Sequence, residues 1–329
     1  MMKKAVITVV LAVSLCLIGL AAAVVWQSAE DNDVQKYIKK TYTDDDHLIY
    51  AYPNNPHSQY LSESIGLYMN YLLLIDDQKT FNVLVQQLKN HFFVKKENAL
   101  YISWVLKENA NTNALIDDVR IIAALRKGAS QFGENEYAEL ANKLARTIER
   151  QQTADGIYVD YVDWAYNESA RRVTLSYLTP DFFYVLKKTV PSKEILTSLD
   201  EKKVFFPEYY DLTKRTYSYG AKIHMIDQLL IAINRENVHE PSRAFHKWII
   251  EEWKAEGRIA GQYFRKTAEP AVEYESLAVY AYLEEYFRTT GDGQLAEEVH
   301  ERSTQLVKNG ILKEAHFFDY ILYETKKTQ

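Results

Sequence analysis

The chain has 329 residues, 47% hydrophobic and 26% charged, with a formal net charge of −6. An apolar N-terminus leaves roughly 300 residues, enough for one large globular domain or two small ones. No basic block stands out, which argues against a nucleic-acid partner. The single cysteine, Cys16, and the scattered histidines offer no disulfide framework, no thiol chemistry outside the N-terminal segment and no metal-ligand spacing, so neither a metal nor another cofactor is expected.

Residues 1–4 include Lys3 and Lys4, and residues 5–26 carry no charge. About 22 residues at 1.5 Å each span a bilayer's hydrocarbon core. Lysines ahead of such a run predict a cytoplasmic tip over 1–4, a membrane anchor or signal segment over 5–26, and an exported remainder, 27–329. The protein is then expected on the outer face of the membrane, or secreted if cleavage follows the Ala21–Ala23 cluster. Lipidation of Cys16 ranks below both readings, because Leu15 is a poor residue just before a lipidated cysteine.

Residues 29–47 are polar. The run Asp44-Asp45-Asp46 lacks the spacing of a calcium loop and reads as solvated. Over 58–76 (SQYLSESIGLYMNYLLLID) apolar residues fall on all sides of a helix too short to span a membrane. It is therefore a core helix, with the acid Glu63 in its first turn. Burial raises a carboxyl pKa toward that of a general acid, whereas the helix dipole lowers it; Glu63 is either such an acid or an N-terminal helix residue favoured by the dipole.

Residues 78–93 carry an amphipathic stripe of Phe81, Val83, Leu84 and Leu88, and 99–105 reads as extended. The next greasy helix is predicted over 113–127, ended by Gly128, with Asp117 and Asp118 near its start. Residues 134–152 are striped, 156–166 form an aromatic loop or hairpin, and 180–188 a short helix. Greasy helices at 219–234 and 271–287, carrying Asp227 and Glu275, alternate with striped ones at 242–256 and 293–309. An aromatic tail begins at Phe317.

This alternation predicts an all-α, double-layered helical toroid with a greasy inner ring and a striped outer one. Consecutive helices in such a ring are antiparallel, so the inner helices run the same way. Their N-terminal ends would gather Glu63, Asp117, Asp118, Asp227 and Glu275 at one rim. Two carboxyl groups across a sugar ring are the working parts of most glycosidases. Tyr161, Trp164 and Tyr219, among 25 tyrosines and 5 tryptophans, are candidate sugar platforms. There is no GxSxG, phosphate loop or dinucleotide fingerprint.

The stretch Leu61-Ser62-Glu63-Ser64-Ile65-Gly66-Leu67-Tyr68, followed by Asp77-Gln78-Lys79-Thr80-Phe81, resembles the signature SEG-x-G-Y … D-x-x-x-F of family 8 glycoside hydrolases. Residues 114–121 (ALIDDVRI) look like the family's A-T-D-A-D-x-D-I segment, with Ile116 in place of its first aspartate. Residues 176–183 (SYLTPDFF) are similar to Y-x-x-P-x-Y-F. Within the family the chain looks most like extracellular glycosidases of exopolysaccharide operons in Gram-positive bacteria. The resemblance implies an (α/α)6 barrel and inverting hydrolysis of a β-1,4-linked polysaccharide, and a monomer is expected. It also implies Glu63 as general acid and Asp118 as a sugar contact, beside Asp117. Where many members carry an aspartate after a tyrosine, this chain reads Tyr219-Gly220-Ala221-Lys222, so Asp227 becomes the candidate base. Two other readings compete. A non-catalytic polysaccharide binder would keep the barrel without the base, and a lyase would need basic residues facing uronic acids.

Overall fold

The computed structural model describes residues 31–329. The expected membrane segment 5–26, with Cys16, lies outside the described residues, and among those described no helix is long and apolar enough to cross a membrane. The chain divides into a unit ending at Lys40 and a second from Thr41 to Gln329. Helix α1 (Asp33–Thr41) has Asp33 in its first turn and Lys39 and Lys40 in its last, the arrangement the helix dipole favours.

In the second unit α2 (Ser62–Leu74) buries nine of its 13 residues, as a helix apolar on every face must. Helix α3 (Gln78–Gln87) is capped by Asp77, whose carboxylate accepts from Thr80 N, and it runs on into a π turn (Leu88–Phe92). Strands β1 (Phe93–Lys96) and β2 (Ala99–Ile102) form a hairpin. Helix α4 (Leu115–Phe132) passes straight through Gly128, contrary to the stop expected there. A Cβ at Gly128 would lie 2.8 Å from the Phe81 ring, so this glycine makes room for packing, and Gly133, at φ 73°, is the cap. Helix α5 (Asn135–Gln151) buries the stripe Tyr137, Ala141, Leu144, Ala145 and Ile148.

The segment between α5 and the next long helix is strand-rich. It holds hairpins β3–β4 (Thr153–Ala154, Ile157–Tyr158) and β5–β6 (Val162–Asp163, Glu168–Ser169). Strand β7 (Arg172–Thr174) then leads through a 3-10 turn (Leu175–Tyr177) into α6 (Pro180–Val185) and α7 (Val190–Thr197). Strands β8 (Tyr209–Asp211) and β9 (Thr216–Ser218) complete a three-stranded sheet on β7. Strand β10 (Lys222–His224) precedes α8 (Met225–Asn237), followed by α9 (Arg243–Glu256), β11 (Gln262–Phe264), α10 (Leu277–Thr290), α11 (Gly293–Lys308) and α12 (Phe317–Thr328).

The described residues are mostly helical, as expected, with five small antiparallel sheets joining the helices. The helix expected from residue 219 begins at Met225, because Lys222–His224 pairs with Gln262–Phe264 first. The aromatic tail is a helix whose buried Phe317, Tyr320 and Ile321 make it an inner element. Helices α12, α2 and α4, α6 with its leading 3-10 turn, α8 and α10 pack neighbour on neighbour, and α10 returns to α12. Helices α3, α5 and α11 each pack on the inner helix before them.

Gly66, on α2, lies where α2 and α4 pack closely. A Cβ there would meet Ile121 Cγ1 at 3.1 Å and the Arg120 side chain at 3.2 Å. Gly66→Ala gains about 1 kcal/mol of helix propensity but loses about 1–3 kcal/mol to overpacking. We expect a net loss of stability by thermal unfolding, together with displacement of Arg120 and weaker activity.

Candidate active site

The first turns of the inner helices carry acids at Glu63, Asp117, Asp118, Asp181, Asp227 and Asp319. Two cavities open beside them. The larger, about 1090 Å³, is lined by Glu63, His224, Asp227, Glu275, His316 and Asp319 among others. The smaller, about 260 Å³, is lined by Glu63, Trp104, Asp117, Arg120, Tyr177, Asp227 and Tyr282 among others. Glu63, Ile226, Asp227 and Phe318 border both, so the two candidate catalytic acids share one opening with room on either side of them. Among the described residues no group of His, Cys, Asp and Glu is placed to hold a metal ion.

Glu63 is half-buried, and its carboxyl is pushed up to about 8. Burial is the main cause. The carboxylates of Asp117 and Asp319 add to it, and the Arg120 guanidinium opposes it. Desolvation and the neighbouring acids thus outweigh the pull of Arg120 and bring the Glu63 carboxyl into the range that suits a general acid.

Asp117 is buried beneath it, with Arg120 Nη1 donating to Asp117 Oδ1 at 2.8 Å. Burial raises the Asp117 pKa while Arg120 and a hydrogen bond from Ser62 pull it down. Arg120 is itself buried and answers the charge of Asp117.

Asp227 stands differently. Its Oδ1 accepts from Ser176 Oγ at 2.7 Å, which orients the carboxyl. Burial raises its pKa against the pull of Ser176 and His224. A carboxylate made more basic than usual suits a general base.

Glu275 borders the larger cavity but is neutralised by a two-pronged pair with Arg302, at 2.9 and 2.5 Å, and by the Tyr280 hydroxyl. Burial would raise its pKa, but these partners outweigh that and hold it below the ordinary carboxylate value.

Four expected sugar contacts stand away from this opening. Asp118 is 3% exposed, takes Asn113 Nδ2 on Oδ2 at 2.5 Å, and leaves Oδ1 without a partner; it lies on the wall of neither cavity. Asn113 also donates to Gln152, so Asp118 belongs to a buried polar network joining α4 to the strand region. Tyr219 lies ahead of α8, its ring under Lys203 and Arg265. Trp164 packs on Tyr101 at 5.3 Å, on a different cavity. Tyr161, exposed before β5, lines neither wall of the opening.

The aromatics on the cleft wall are instead Tyr52, Tyr274, Phe318, Trp104, Tyr177 and Tyr282. Trp104 belongs to the extended stretch 99–105, and its carbonyl accepts from Ser62 N at 3.0 Å, one residue before Glu63. Asp319, also missed, follows an aromatic tail that reads as a plain C-terminus. Its Oδ1 accepts from Ser276 Oγ and Ala278 N, capping α10.

No family model matches the sequence. PssZ from Listeria monocytogenes is 30% identical, and its crystal structure matches with a TM-score of 0.84 over 91% of this chain and 95% of that one. Endoglucanase Cel10, a family 8 glycosyl hydrolase from Klebsiella pneumoniae, matches with a TM-score of 0.62 at 11% identity, over 91% of this chain and 100% of that one. Putative lipoprotein YdaJ of Bacillus subtilis (strain 168) is 34% identical over 232 residues, 68% of this chain and 63% of YdaJ's own length.

Proposed function

The chain belongs to the family of PssZ and has the fold of the family 8 glycosyl hydrolases, and on that premise we propose that it is a glycoside hydrolase acting on a polysaccharide outside the cytoplasmic membrane. The ring of inner helices supports the (α/α)6 reading of its barrel. The observation that carries the function is that Glu63 and Asp227 stand on the wall common to both cavities, with the Glu63 carboxyl pushed up to about 8.

In this reading the polymer lies across both cavities with its scissile bond at Glu63. Glu63 gives its proton to the glycosidic oxygen as the bond to the anomeric carbon breaks. Asp227, held by Ser176 and acting in its ionised form, takes a proton from a water molecule whose oxygen attacks that carbon from the opposite face. The result is one reducing end, one free hydroxyl and an inverted anomeric centre. Asp117 and Arg120 keep the surroundings of Glu63 fixed, and Trp104 and Tyr177 offer surfaces for the sugar rings. The description of YdaJ as a putative lipoprotein supports a cell-surface or secreted location.

Acid/base geometry alone does not choose the linkage; the family resemblance favours β-1,4. The full-length chain in neutral detergent should release reducing ends from a β-1,4-linked polymer in a panel that includes α-1,4 and β-1,3 chains, with proton NMR detecting the inverted anomer first. Release of the retained anomer would remove Asp227 from the base role, and binding without cleavage across the panel would favour a non-catalytic binder.

The pH profile follows from the two carboxyls. Activity needs Glu63 protonated, so kcat/KM should fall as pH rises through about 8. It needs Asp227 ionised, and because burial raises that pKa the acid limb should lie above the ordinary carboxylate range. A flat profile to pH 10 would deny Glu63 the acid role.

A further inference from the structure

Away from the cleft, α5, the β1–β2 hairpin and the β5–β6 hairpin enclose a cavity of about 670 Å³. Its wall carries four cations, Lys96, Lys143, Arg146 and Arg150, against one carboxylate, Glu97. Lys143, Arg146 and Arg150 are spaced three and four residues apart on α5 and so share one face of it. The acids of the same helix, Glu136, Glu139 and Glu149, are not on this wall. Among the described residues none of the four cations makes an ion pair with a carboxylate, although Lys89, Arg171 and Arg172 nearby all do. Like charges gathered round a concavity repel one another and concentrate anions.

The cavity is built rather than a gap between mobile parts. Leu100 N donates to Thr147 Oγ1 at 2.9 Å, tying the β1–β2 hairpin to α5. Ser169 Oγ donates to the Gln151 carbonyl at 2.8 Å, tying the β5–β6 hairpin to the end of α5. Tyr101 and Trp164 close the third side, their rings 5.3 Å apart and 30° from parallel. Trp164 is half-buried and held against its partner, so an aromatic surface stands beside the basic face.

We infer that this cavity is a second carbohydrate site, separate from the hydrolytic cleft, and that it takes an acidic saccharide. Guanidinium forks at Arg146 and Arg150 would receive the carboxylates of uronic acid units, while Trp164 carries a pyranose face. The cleft cannot hold the same chain well. Beside the protonated Glu63 and the Arg302-paired Glu275, its larger cavity presents Asp227, Glu314 and Asp319 against the single lysine Lys313. The two sites therefore divide the work by charge: one grips a polymer bearing uronic acids, and the other cleaves a chain without that charge. The binding part of this inference stands whether or not the cleft hydrolyses.

The test is a titration of the full-length chain in neutral detergent with oligogalacturonate, sulfate and polyglycerol phosphate. Oligogalacturonate should bind, and more weakly as salt is raised. Arg146→Gln/Arg150→Gln should weaken it about tenfold or more while thermal unfolding and any cleavage in the cleft stay as in wild type. Trp164→Ala should weaken oligogalacturonate several-fold and leave sulfate unmoved, with Trp164→Phe restoring most of the loss. Unchanged oligogalacturonate affinity in the folded double variant would overturn the site. Polyglycerol phosphate binding as tightly as oligogalacturonate, or Trp164→Ala weakening sulfate equally, would overturn its assignment to a saccharide.

Discussion

Glu63→Gln removes hydrolysis: turnover of the cleaved polymer falls by roughly a thousandfold, the scale of a lost general acid. The amide keeps the shape of the side chain and its hydrogen-bonding reach but has no proton to give. Loss of fold is not an alternative cause, because the same change should stabilise the protein. The Glu63 carboxyl has a pKa of about 8 when folded against an ordinary value of 4.5. Between these pH values the folded state holds a proton that the unfolded state has released, so stability falls as pH rises through this window. Glutamine has no such cost. At about 1.4 kcal/mol per pKa unit, and allowing for water in the cleft, the gain is roughly 2–4 kcal/mol at pH 8 and vanishes near pH 4. Thermal unfolding should show a midpoint raised by several degrees at pH 8 and unchanged near pH 4. Wild-type turnover in this variant would take Glu63 out of the chemistry.

Asp227→Asn produces a loss of similar size by a different route, about 10²–10⁴-fold in kcat with substrate affinity nearly kept. Asparagine can still accept from Ser176, so the side chain stays aimed, but it cannot take a proton from water. In Asp227→Gly, which does vacate the space, added formate should restore part of the rate by taking the proton from water, with the inverted anomer as product. Full activity in Asp227→Asn would move the base to another carboxylate of the opening, with Asp319 next to be tested.

The acids were legible in the sequence because the inner helices are apolar all round. In α2 the first-turn carboxylate stands out against leucine and isoleucine, as Asp227 does within the apolar run 219–234, and both Glu63 and Asp227 line the opening. The partners that tune them were not legible. Arg120 lies one turn along α4 from Asp117 and reads as an ordinary helix arginine. Only the closeness of α2 and α4, with Gly66 leaving space, brings it beneath Glu63. The aromatic wall was misjudged for a similar reason. Tyr161 and Trp164 sit in a conspicuous aromatic hairpin, yet strand pairing carries Trp164 to Tyr101, whereas the isolated Trp104 reaches the cleft. Asp118 is in the motif that resembles a sugar-binding segment, but Asn113 and the strand region beyond it enclose its carboxyl.

The protonation of residue 63 can be read without knowing the sugar. An infrared pH titration of wild type minus Glu63→Gln isolates the carbonyl stretch of one protonated carboxyl. The account predicts that this band is present at pH 6 and disappears with a midpoint near 8. A difference spectrum with no protonated-carboxyl band at pH 6 would contradict it, since Glu63 would then already be ionised and have no proton to donate.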